Sequence, residues 1–311
     1  MTDLPDPIQY AIPFFILLII AELIYARQTG KAKFEPRDSG ASLAMGLGNT
    51  AAGIVFAAVG ATWLAFLVPF ALFDLGWAWY VWIVCFVLDD FVYYWSHRFA
   101  HTVRWFWADH VTHHSSQHYN LTTALRQPWF NIFTLKFIWF GAWMILLGFP
   151  PAMVAFCGGL NLIYQFWIHT EVIRRLPAPI EAVMNTPSHH RVHHATNPVY
   201  LDRNYAGVFI IWDRMFGTFQ AELDEEPCRY GIVRNLGTYN PLRIAVHEWW
   251  GIIKDVASAK SFRHALAYIF APPGWSPDGS RLTTRAIKKM AGVEKPVRPR
   301  REAPQDATPA E

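Results

Sequence analysis

Four apolar stretches alternate with polar segments along the chain. They begin at Ile8, Ala44 and Trp77, and the fourth runs from Phe130 to Ile168. About 20 apolar residues cross a bilayer, so the fourth stretch is long enough for two helices, and the Gly-Phe-Pro-Pro sequence at residues 148–151 predicts the break between them. Residues 44–73 are uncharged and predict one tilted helix, or a helix with a re-entrant turn. The pattern predicts an all-α integral membrane bundle of about four to five spans.

Composition supports a membrane scaffold that also carries a sizeable polar portion. Hydrophobic residues make up 53% of the 311 residues and charged residues only 16%, against about 25% charged in soluble domains. A mean hydropathy of +0.14 is too low for a chain that lies in the membrane throughout. The formal net charge of +3 gives no reason to expect nucleic acid as a partner.

The distribution of basic residues predicts the orientation of the spans. Residues 1–7 contain no Lys or Arg, whereas the connection after the first span contains four: Arg27, Lys31, Lys33 and Arg37. The positive-inside rule therefore makes this connection cytoplasmic, and the first stretch is expected to be a retained anchor because no basic segment precedes it. Successive crossings place both polar segments, residues 97–126 and 170–237, on the cytoplasmic face. We expect a multi-pass membrane protein.

The chain divides into four predicted regions. Residues 1–96 form N-terminal membrane helices, and residues 97–236 form a catalytic region that includes a helical hairpin at about 130–168. Residues 237–279 contain amphipathic helices, predicted at 241–256 and 261–270. Residues 280–311 are basic and then rich in Pro, Ala and acidic residues, which predicts a disordered tail.

Histidines are concentrated in the polar segments. Ten of the 13 fall within residues 97–118 and 189–194. Their spacing is i,i+4 once and i,i+3,i+4 twice, which on a helix places Cβ atoms on one face about 5–6 Å apart. Two imidazoles at this spacing can bind one metal ion. The boxes contain eight histidines: His97, His101, His110, His113, His114, His190, His193 and His194.

The number of histidines indicates two metal ions. Imidazole suits zinc, copper, iron and nickel, but a structural zinc takes four ligands and a catalytic zinc usually three. Two nitrogen-rich metals beside a membrane favour O2 activation over hydrolysis, since no Gly-x-Ser-x-Gly elbow occurs and no cysteine neighbours the boxes. The alternatives are a membrane zinc hydrolase or metal carrier, and a pH-sensing surface without metal.

A polar stripe runs along the second half of the predicted hairpin. Asn161, Gln165 and His169 recur every four residues, and polar side chains at that depth generally face a bundle interior. His169 is therefore a ninth candidate ligand; the alternative is a helix cap or a residue that supports the ligands.

Asp90 lies seven residues before His97, on the same predicted helix face. One interpretation is that its carboxylate accepts the outer N–H of a ligand histidine and fixes the tautomer. The other is an ion pair with Arg98 or Arg104. Residues 204–214 alternate aliphatic and polar residues, which predicts either an elbow that packs on the metal-binding region or a wall of the substrate site.

The remaining histidines and the cysteines are given no role in metal binding. The histidines are His118, His189, His247 and His264. The cysteines are far apart along the chain and indicate neither a disulfide framework nor a cysteine zinc site: Cys85, Cys157 and Cys228.

Together these motifs resemble the fatty acid hydroxylase / sterol desaturase superfamily over about residues 45–235. Its boxes, H-x3–4-H, H-x2-H-H and a final H-x2-H-H, match the three boxes of this chain. Further segments look most like the alkylglycerol monooxygenase-like branch: Asp90–Arg98, His113–Ser116, Ala124–Gln127, Gln165–Thr170 and Asn204–Phe219. The resemblance implies a membrane-bound non-haem diiron oxygenase with its metal site on the cytoplasmic side of a small helical bundle.

The resemblance also implies roles for the candidate residues. The nine histidines would be iron ligands, with Asp90, Asn161 and Gln165 around them and no acid or base separable from the ligands. Gln165 stands where some members of the superfamily have a histidine, which leaves one ligand position to water or to an amide oxygen.

The implied reaction takes one oxygen atom from O2 and hydroxylates, or desaturates, a C–H bond of a lipid. For this branch the implied lipid is an ether lipid, attacked at the carbon beside the ether oxygen, with tetrahydrobiopterin as electron donor. Elsewhere in the superfamily sterols, carotenoids or fatty acids are oxidised with other electron carriers, and these remain the alternatives.

Overall fold

The computed structural model describes residues 4–297, except the side chains of residues 136–138 and 140. Within this range the chain is all-α, with two isolated β-bridges and no β-strand. The first helices are α1 (Pro7–Thr29), α2 (Pro36–Leu67, followed by a 3-10 turn at Val68–Phe70), α3 (Trp79–Thr102) and α4 (Arg104–His114). After a 3-10 turn at Leu121–Leu125 follow α5 (Asn131–Thr134), α6 (Lys136–Leu147), α7 (Pro151–Trp167), α8 (Ala178–Val183), α9 (Pro187–His194), α10 (Ile211–Met215), α11 (Pro241–Ala257), α12 (Phe262–Phe270) and α13 (Thr284–Met290).

Local sequence signals explain where the long helices begin and end. The Asp6 carboxylate accepts a hydrogen bond from the Ile8 N–H, and Pro7 occupies the first turn of α1, where a proline costs no hydrogen bond. The break between α6 and α7 falls at residues 148–150, as predicted. Gly148 has φ 106° there, and a Cβ on it would lie 2.0 Å from the Phe73 carbonyl oxygen, so only glycine fits this turn.

Two helices in the described part of the chain are long and apolar enough to cross a membrane, Pro7–Thr29 and Pro36–Phe70. Only 11% and 6% of their most apolar windows are buried, unlike the core helix of a soluble protein. The protein is accordingly a membrane protein. The uncharged stretch at residues 44–73 begins inside one unbroken helix, α2. The helices α6 and α7 have 12 and 17 residues, fewer than the ~20 that span a bilayer, so the number of spans stays a prediction.

The helices form a bundle whose two ends are distinct. At one end, the Leu72 N–H donates to the Leu146 carbonyl at 2.7 Å, which ties the end of α2 to the α6–α7 turn. At the other end, Glu22 of α1 accepts hydrogen bonds from the Leu121 N–H and the Thr170 hydroxyl. This second end holds the histidine boxes. Between the two ends, α3, α6 and α7 share an apolar core.

The C-terminal region is more ordered than the sequence predicts. The amphipathic helices α11 and α12 lie within one residue of their predicted positions. The predicted disordered tail does not begin at residue 280, because α13 is helical and Gln220 exchanges two 2.8 Å hydrogen bonds with the backbone of Val297. These long-range contacts have no local sequence signal. Residues 298–311 of that predicted tail lie outside the described residues.

Candidate metal centre

The structure brings all nine candidate histidines together in two clusters. In each cluster one ring nitrogen from every histidine lies within 4.8 Å of the others. The five-histidine cluster contains His97, His101, His110, His114 and His193. The four-histidine cluster contains His113, His169, His190 and His194. Neither cluster includes a carboxylate or a thiol from the described residues, so each offers imidazole nitrogen alone.

The two H-x2-H-H boxes divide between the clusters in the same way. On α4, His110 and His114 join the five-histidine cluster, whereas His113 joins the four-histidine cluster. On α9, His190 and His194 share the four-histidine cluster, and His193 crosses to the other. Residues four apart lie nearly above one another on a helix, while the i+3 residue lies to one side. Each helix therefore supplies both clusters, which fixes the two sites beside each other.

The clusters adjoin closely. The rings of His114 and His194, which belong to different clusters, stack with centroids 4.3 Å apart and an interplanar angle of 20°. Eight of the nine histidines lie on helices, since α3 supplies His97 and His101, and α4 and α9 supply three each. His169 alone lies just beyond the end of α7.

Backbone carbonyls contact the outer ring nitrogens of four of the nine histidines. Nδ1 of His97 lies 2.8 Å from the Tyr205 carbonyl oxygen, and Nδ1 of His193 lies 2.9 Å from that of Arg203. In the four-histidine cluster, Nδ1 of His113 lies 3.2 Å from the Arg126 carbonyl, and Nδ1 of His169 lies 2.8 Å from that of Gln165. A carbonyl can only accept, so each Nδ1 carries the proton and each Nε2 presents a lone pair.

These lone pairs face one another, which is how the site fits metal ions. Nε2 of His113 and Nε2 of His169 are 3.2 Å apart, although neither has a proton to share when both Nδ1 atoms donate to carbonyls. Two nitrogens bound to one ion at about 2.1 Å are themselves roughly 3 Å apart. Buried Nε2 atoms of His101, His193 and His194 have no hydrogen-bond partner in the described part of the chain. A cation in each cluster would satisfy all of them.

Burial keeps the imidazoles neutral. Loss of water around the charged form lowers the pKa of five histidines well below 6.5: His113, His114, His190, His193 and His194. The same cause lowers the pKa of His169 to about 4. Metal ions bind the neutral form of imidazole. The clusters are therefore ready for metal at neutral pH.

One short segment, the orienting loop (residues 202–205), serves the five-histidine cluster. It supplies the carbonyls to His97 and His193, and the Asp202 carboxylate lies 3.4 Å from Nδ1 of His101. Asp202 and Asn204 both have positive φ, 51° and 56°, a conformation that Asn and Asp tolerate better than most residues. The contact of the Tyr205 carbonyl with His97 supports the elbow interpretation of residues 204–214.

Buried carboxylates hold this loop in place. Asp213 accepts 2.8 Å hydrogen bonds from the N–H groups of Tyr205 and Ala206. Asp90 accepts from the N–H groups of Val208 and Phe209 at 2.7 and 2.8 Å. Both interpretations of Asp90 made from the sequence are therefore wrong, because its hydrogen bonds come neither from a ligand histidine nor from an arginine. Asp90 instead supports His97 through the backbone that follows the orienting loop.

The other two residues predicted around the ligands extend this support. The Asn161 side-chain amide donates to the carboxylates of Asp89 and Asp90, both at 3.1 Å, and accepts from the Gln165 amide at 2.7 Å. Gln165 contacts a candidate ligand through its backbone carbonyl, on His169. The polar stripe therefore ties α7 to α3 directly below the clusters.

A buried ion pair supports the four-histidine cluster. Arg126 and Asp38 are 1% and 3% exposed, and their side chains are paired at 2.5 Å. The Arg126 guanidinium also contacts the hydroxyl groups of Ser42 and Ser115. This pairing fixes the backbone at Arg126, whose carbonyl contacts His113. The sequence did not indicate the role of Asp38, because its partner Arg126 lies 88 residues away along the chain. It did not indicate the Arg126 carbonyl either, because a residue of any type can supply a carbonyl.

The histidines that were given no metal role lie outside both clusters. His118 lies 3.4 Å from Asp38, and His189 lies 3.2 Å from Glu181. The latter pairing also explains why His190, and not its neighbour His189, joins the four-histidine cluster. His247 and His264 lie on α11 and α12.

Comparison with known proteins agrees with this site. Residues 82–218, which contain all nine histidines, match the family described as Fatty acid hydroxylase. An alkylglycerol monooxygenase of Homo sapiens is 39% identical over 300 residues, which cover 95% of this chain and 66% of that protein. One of Caenorhabditis elegans is 34% identical over 322 residues, which cover 96% of this chain and 61% of that protein.

A more distant relative has a different substrate in its name. Ornithine lipid hydroxylase OlsE of Rhizobium tropici is 30% identical over 134 residues, 43% of this chain and 40% of that protein. No solved structure shows significant similarity to the chain. The matched segment with its nine histidines leads to one conclusion: residues 82–218 of the chain form a domain of the fatty acid hydroxylase family.

Proposed function

We propose that this protein is a membrane-bound oxygenase that hydroxylates a C–H bond of a lipid with O2. The observation that carries the proposal is the pair of adjoining clusters made of imidazole alone, at one end of a membrane bundle. The relatives named alkylglycerol monooxygenase and ornithine lipid hydroxylase support the same chemistry. A zinc hydrolase is the less favoured alternative, since a catalytic zinc usually has three protein ligands and an open position.

The proposed metals are two iron ions, with the nine histidines as their ligands. Iron bound there would supply the O2 chemistry that oxidises a C–H bond. The two sites are unequal, because one has five histidines and the other has four. Gln165 of α7 stands where some members of the superfamily have a histidine, which would leave a coordination position at the four-histidine cluster for water or an amide oxygen.

The protein's own groups would prepare this site in three ways. Backbone carbonyls hold the imidazoles in one tautomer and one orientation. Burial keeps the imidazoles neutral and limits access of water. Eight of the nine histidines are buried, whereas His110 is half-buried and marks the more accessible side of the five-histidine cluster.

The proposed substrate is a glycerol ether lipid, by analogy with the relatives named alkylglycerol monooxygenase. Hydroxylation of the carbon beside the ether oxygen takes one oxygen atom from O2, while a two-electron donor and two protons reduce the other to water. The product is a hemiacetal, which breaks its C–O bond to give a fatty aldehyde and glycerol. Tetrahydrobiopterin is the proposed donor. A desaturase would instead leave a double bond and no new oxygen in the lipid.

We further propose that the chain crosses the membrane several times, with the metal centre on the cytoplasmic face. The Asn120 side chain donates to the Lys33 carbonyl at 2.9 Å, so the histidine-bearing end also holds the basic connection between α1 and α2. Basic connections are retained on the cytoplasmic side.

The test starts with protein purified in detergent and reconstituted with Fe(II). Iron and zinc are measured per chain, and O2 uptake is followed with an alkylglycerol and tetrahydrobiopterin, with the ester-linked lipid as control. We expect about two irons per chain, uptake only with the ether, and one 18O atom from 18O2 in the aldehyde. The variant His113→Ala should lose iron and activity, while His264→Ala, outside both clusters, should keep them. Full metal loading without O2 uptake on any lipid would favour a hydrolase or a carrier.

A further inference from the structure

Two C-terminal helices expose apolar side chains in regular stripes. On α11 the exposed residues Leu242, Val246, Trp250 and Ile253 recur every three or four positions, and on α12 Phe262, Leu266 and Phe270 recur every four. Each of these side chains is between 40% and 78% exposed. At this spacing each set lies on one helix face. Seven large apolar side chains aligned on adjacent helices form an apolar surface, and its exposure to water is unfavourable.

The face of α11 opposite its stripe is packed and carries two acidic residues. Arg104, the first residue of α4, binds Glu248 and Asp255 of α11, each at 2.7 Å, and reaches the Tyr268 carbonyl of α12 at 3.3 Å. Glu248 and Asp255 are the only acidic residues in 241–270. The helix α11 is therefore fixed to α4 through this face, so its apolar stripe points away from α4. The Tyr268 carbonyl attaches α12 to the same arginine.

The exposed rim of the stripes is basic. Arg243 and Lys254 border the stripe on α11, Arg263 borders the one on α12, and Lys260 lies in the connection; all four are exposed. Helices with an apolar face and a basic border characteristically lie in the plane of a membrane surface that contains anionic lipid. A symmetric contact with a second copy would instead bring the two basic rims together.

The position of α11 agrees with such a surface. Ile244 and Ala245 pack in one cluster with Ala41 and Met45 of α2, where the uncharged part of that candidate span begins. The Trp249 ring contacts Phe133, just before α6, with centroids 5.7 Å apart. The helix pair thus lies level with the boundary of the apolar part of the bundle.

From these observations we infer that α11 and α12 lie on the bilayer as an interfacial anchor, with the seven apolar side chains in an anionic lipid surface. The inference goes beyond the proposed reaction and does not depend on it. Because Arg104 joins this anchor to α4, the contact with lipid also sets the depth of the helix that carries His110, His113 and His114.

Spin labels test the inference on the full-length chain in vesicles. Single cysteines are introduced at Val246 and Leu266, and at Glu225 as an exposed control in the loop before Pro227, all in a Cys228→Ser background; the background alone reports labelling of the buried Cys85 and Cys157. EPR then compares collisions with O2, which concentrates in lipid, and with a water-soluble nickel chelate. Unchanged metal content shows that each variant is folded.

We expect labels at residues 246 and 266 to collide more with O2 than with the chelate, and the label at residue 225 to show the reverse. Replacing Lys254 and Arg263 by Glu should raise chelate access in vesicles that contain phosphatidylglycerol. Chelate access at 246 and 266 equal to that at 225 would overturn the anchor. Shielding from both reagents, with spin–spin broadening, would overturn it in favour of a second copy of the chain.

Discussion

His113 and His114 are neighbours in sequence, yet their side chains belong to different histidine clusters. Consecutive residues on a helix point about 100° apart. His113 therefore points toward the four-histidine cluster, and His114 points toward the five-histidine cluster. One helix can therefore supply two metals without a longer sequence motif. The same division on α9, where His193 leaves its neighbour His194, makes the arrangement nearly symmetric.

This division predicts which double variants lose both metals. His113→Ala together with His190→Ala removes two ligands from the four-histidine cluster, so about one metal per chain should remain. His113→Ala together with His114→Ala removes one ligand from each cluster and should leave less than one. The measurement is metal content after dialysis against a weak chelator, with His264→Ala as control. Equal metal loss in the two double variants would contradict the assignment of ligands to clusters.

The candidate ligands could be predicted from the sequence, but their supports could not. Helical spacing in the boxes determines which imidazoles share a face, so the eight histidines of the boxes can be named as candidate ligands from the sequence. The carbonyls that orient His97 and His113 belong to Tyr205 and Arg126, and no residue type marks a carbonyl. Asp90 was predicted to act on a ligand histidine or an arginine, but its partners include backbone N–H groups that long-range packing brings to it.

The orienting loop predicts a selective effect of Asp213. The carboxylate accepts from two N–H groups that precede and follow the loop carbonyl at Tyr205, and Asn can accept with one oxygen only. Asp213→Asn should therefore weaken metal binding at the five-histidine cluster by about 10- to 100-fold, the usual effect of losing support for a ligand. Competition with a calibrated chelator measures it. The exposed Asp224→Asn variant is the control, and equal affinities in both variants would refute the role.

The buried pair of Arg126 and Asp38 predicts a large loss of stability. Asp38→Ala leaves a buried guanidinium without its charge partner, which typically costs about 3–5 kcal/mol. The double variant Asp38→Ala, Arg126→Met should recover part of this loss because it removes the unpaired charge. Chemical unfolding in mixed micelles gives the free energies. The exposed pair of Arg174 and Asp224 provides a comparison, where Asp224→Ala should cost less than about 1 kcal/mol.

Gly207 predicts a steric effect at the contact between the elbow and the membrane helices. A Cβ there would lie 2.6 Å from Oδ1 of Asn161 and 2.7 Å from Oδ1 of Asp90. Gly207→Ala should therefore push the elbow away and cost about 1–3 kcal/mol. Gly53→Ala is the matched control, since nothing lies within 4 Å of its Cβ position. Thermal unfolding in detergent compares the two, and an equal effect would show that the contact at Gly207 adapts.

Asp255 predicts how acid affects the attachment of α11 to α4. Hydrogen bonds from Arg281, and then from Arg104, lower the pKa of this carboxylate, against the opposing effect of burial. A pKa that is lower in the folded state stabilises the protein fully above the unfolded value of about 3.9, and this stabilisation is lost as the pH falls below it. The unfolding temperature of the metal-free protein should therefore exceed that of Asp255→Asn at pH 7, and the difference should shrink toward about pH 3. Metal-free protein is used because acid also displaces metal from histidine. A difference that stays constant with pH would show that the ion pairs of Asp255 contribute no net stability.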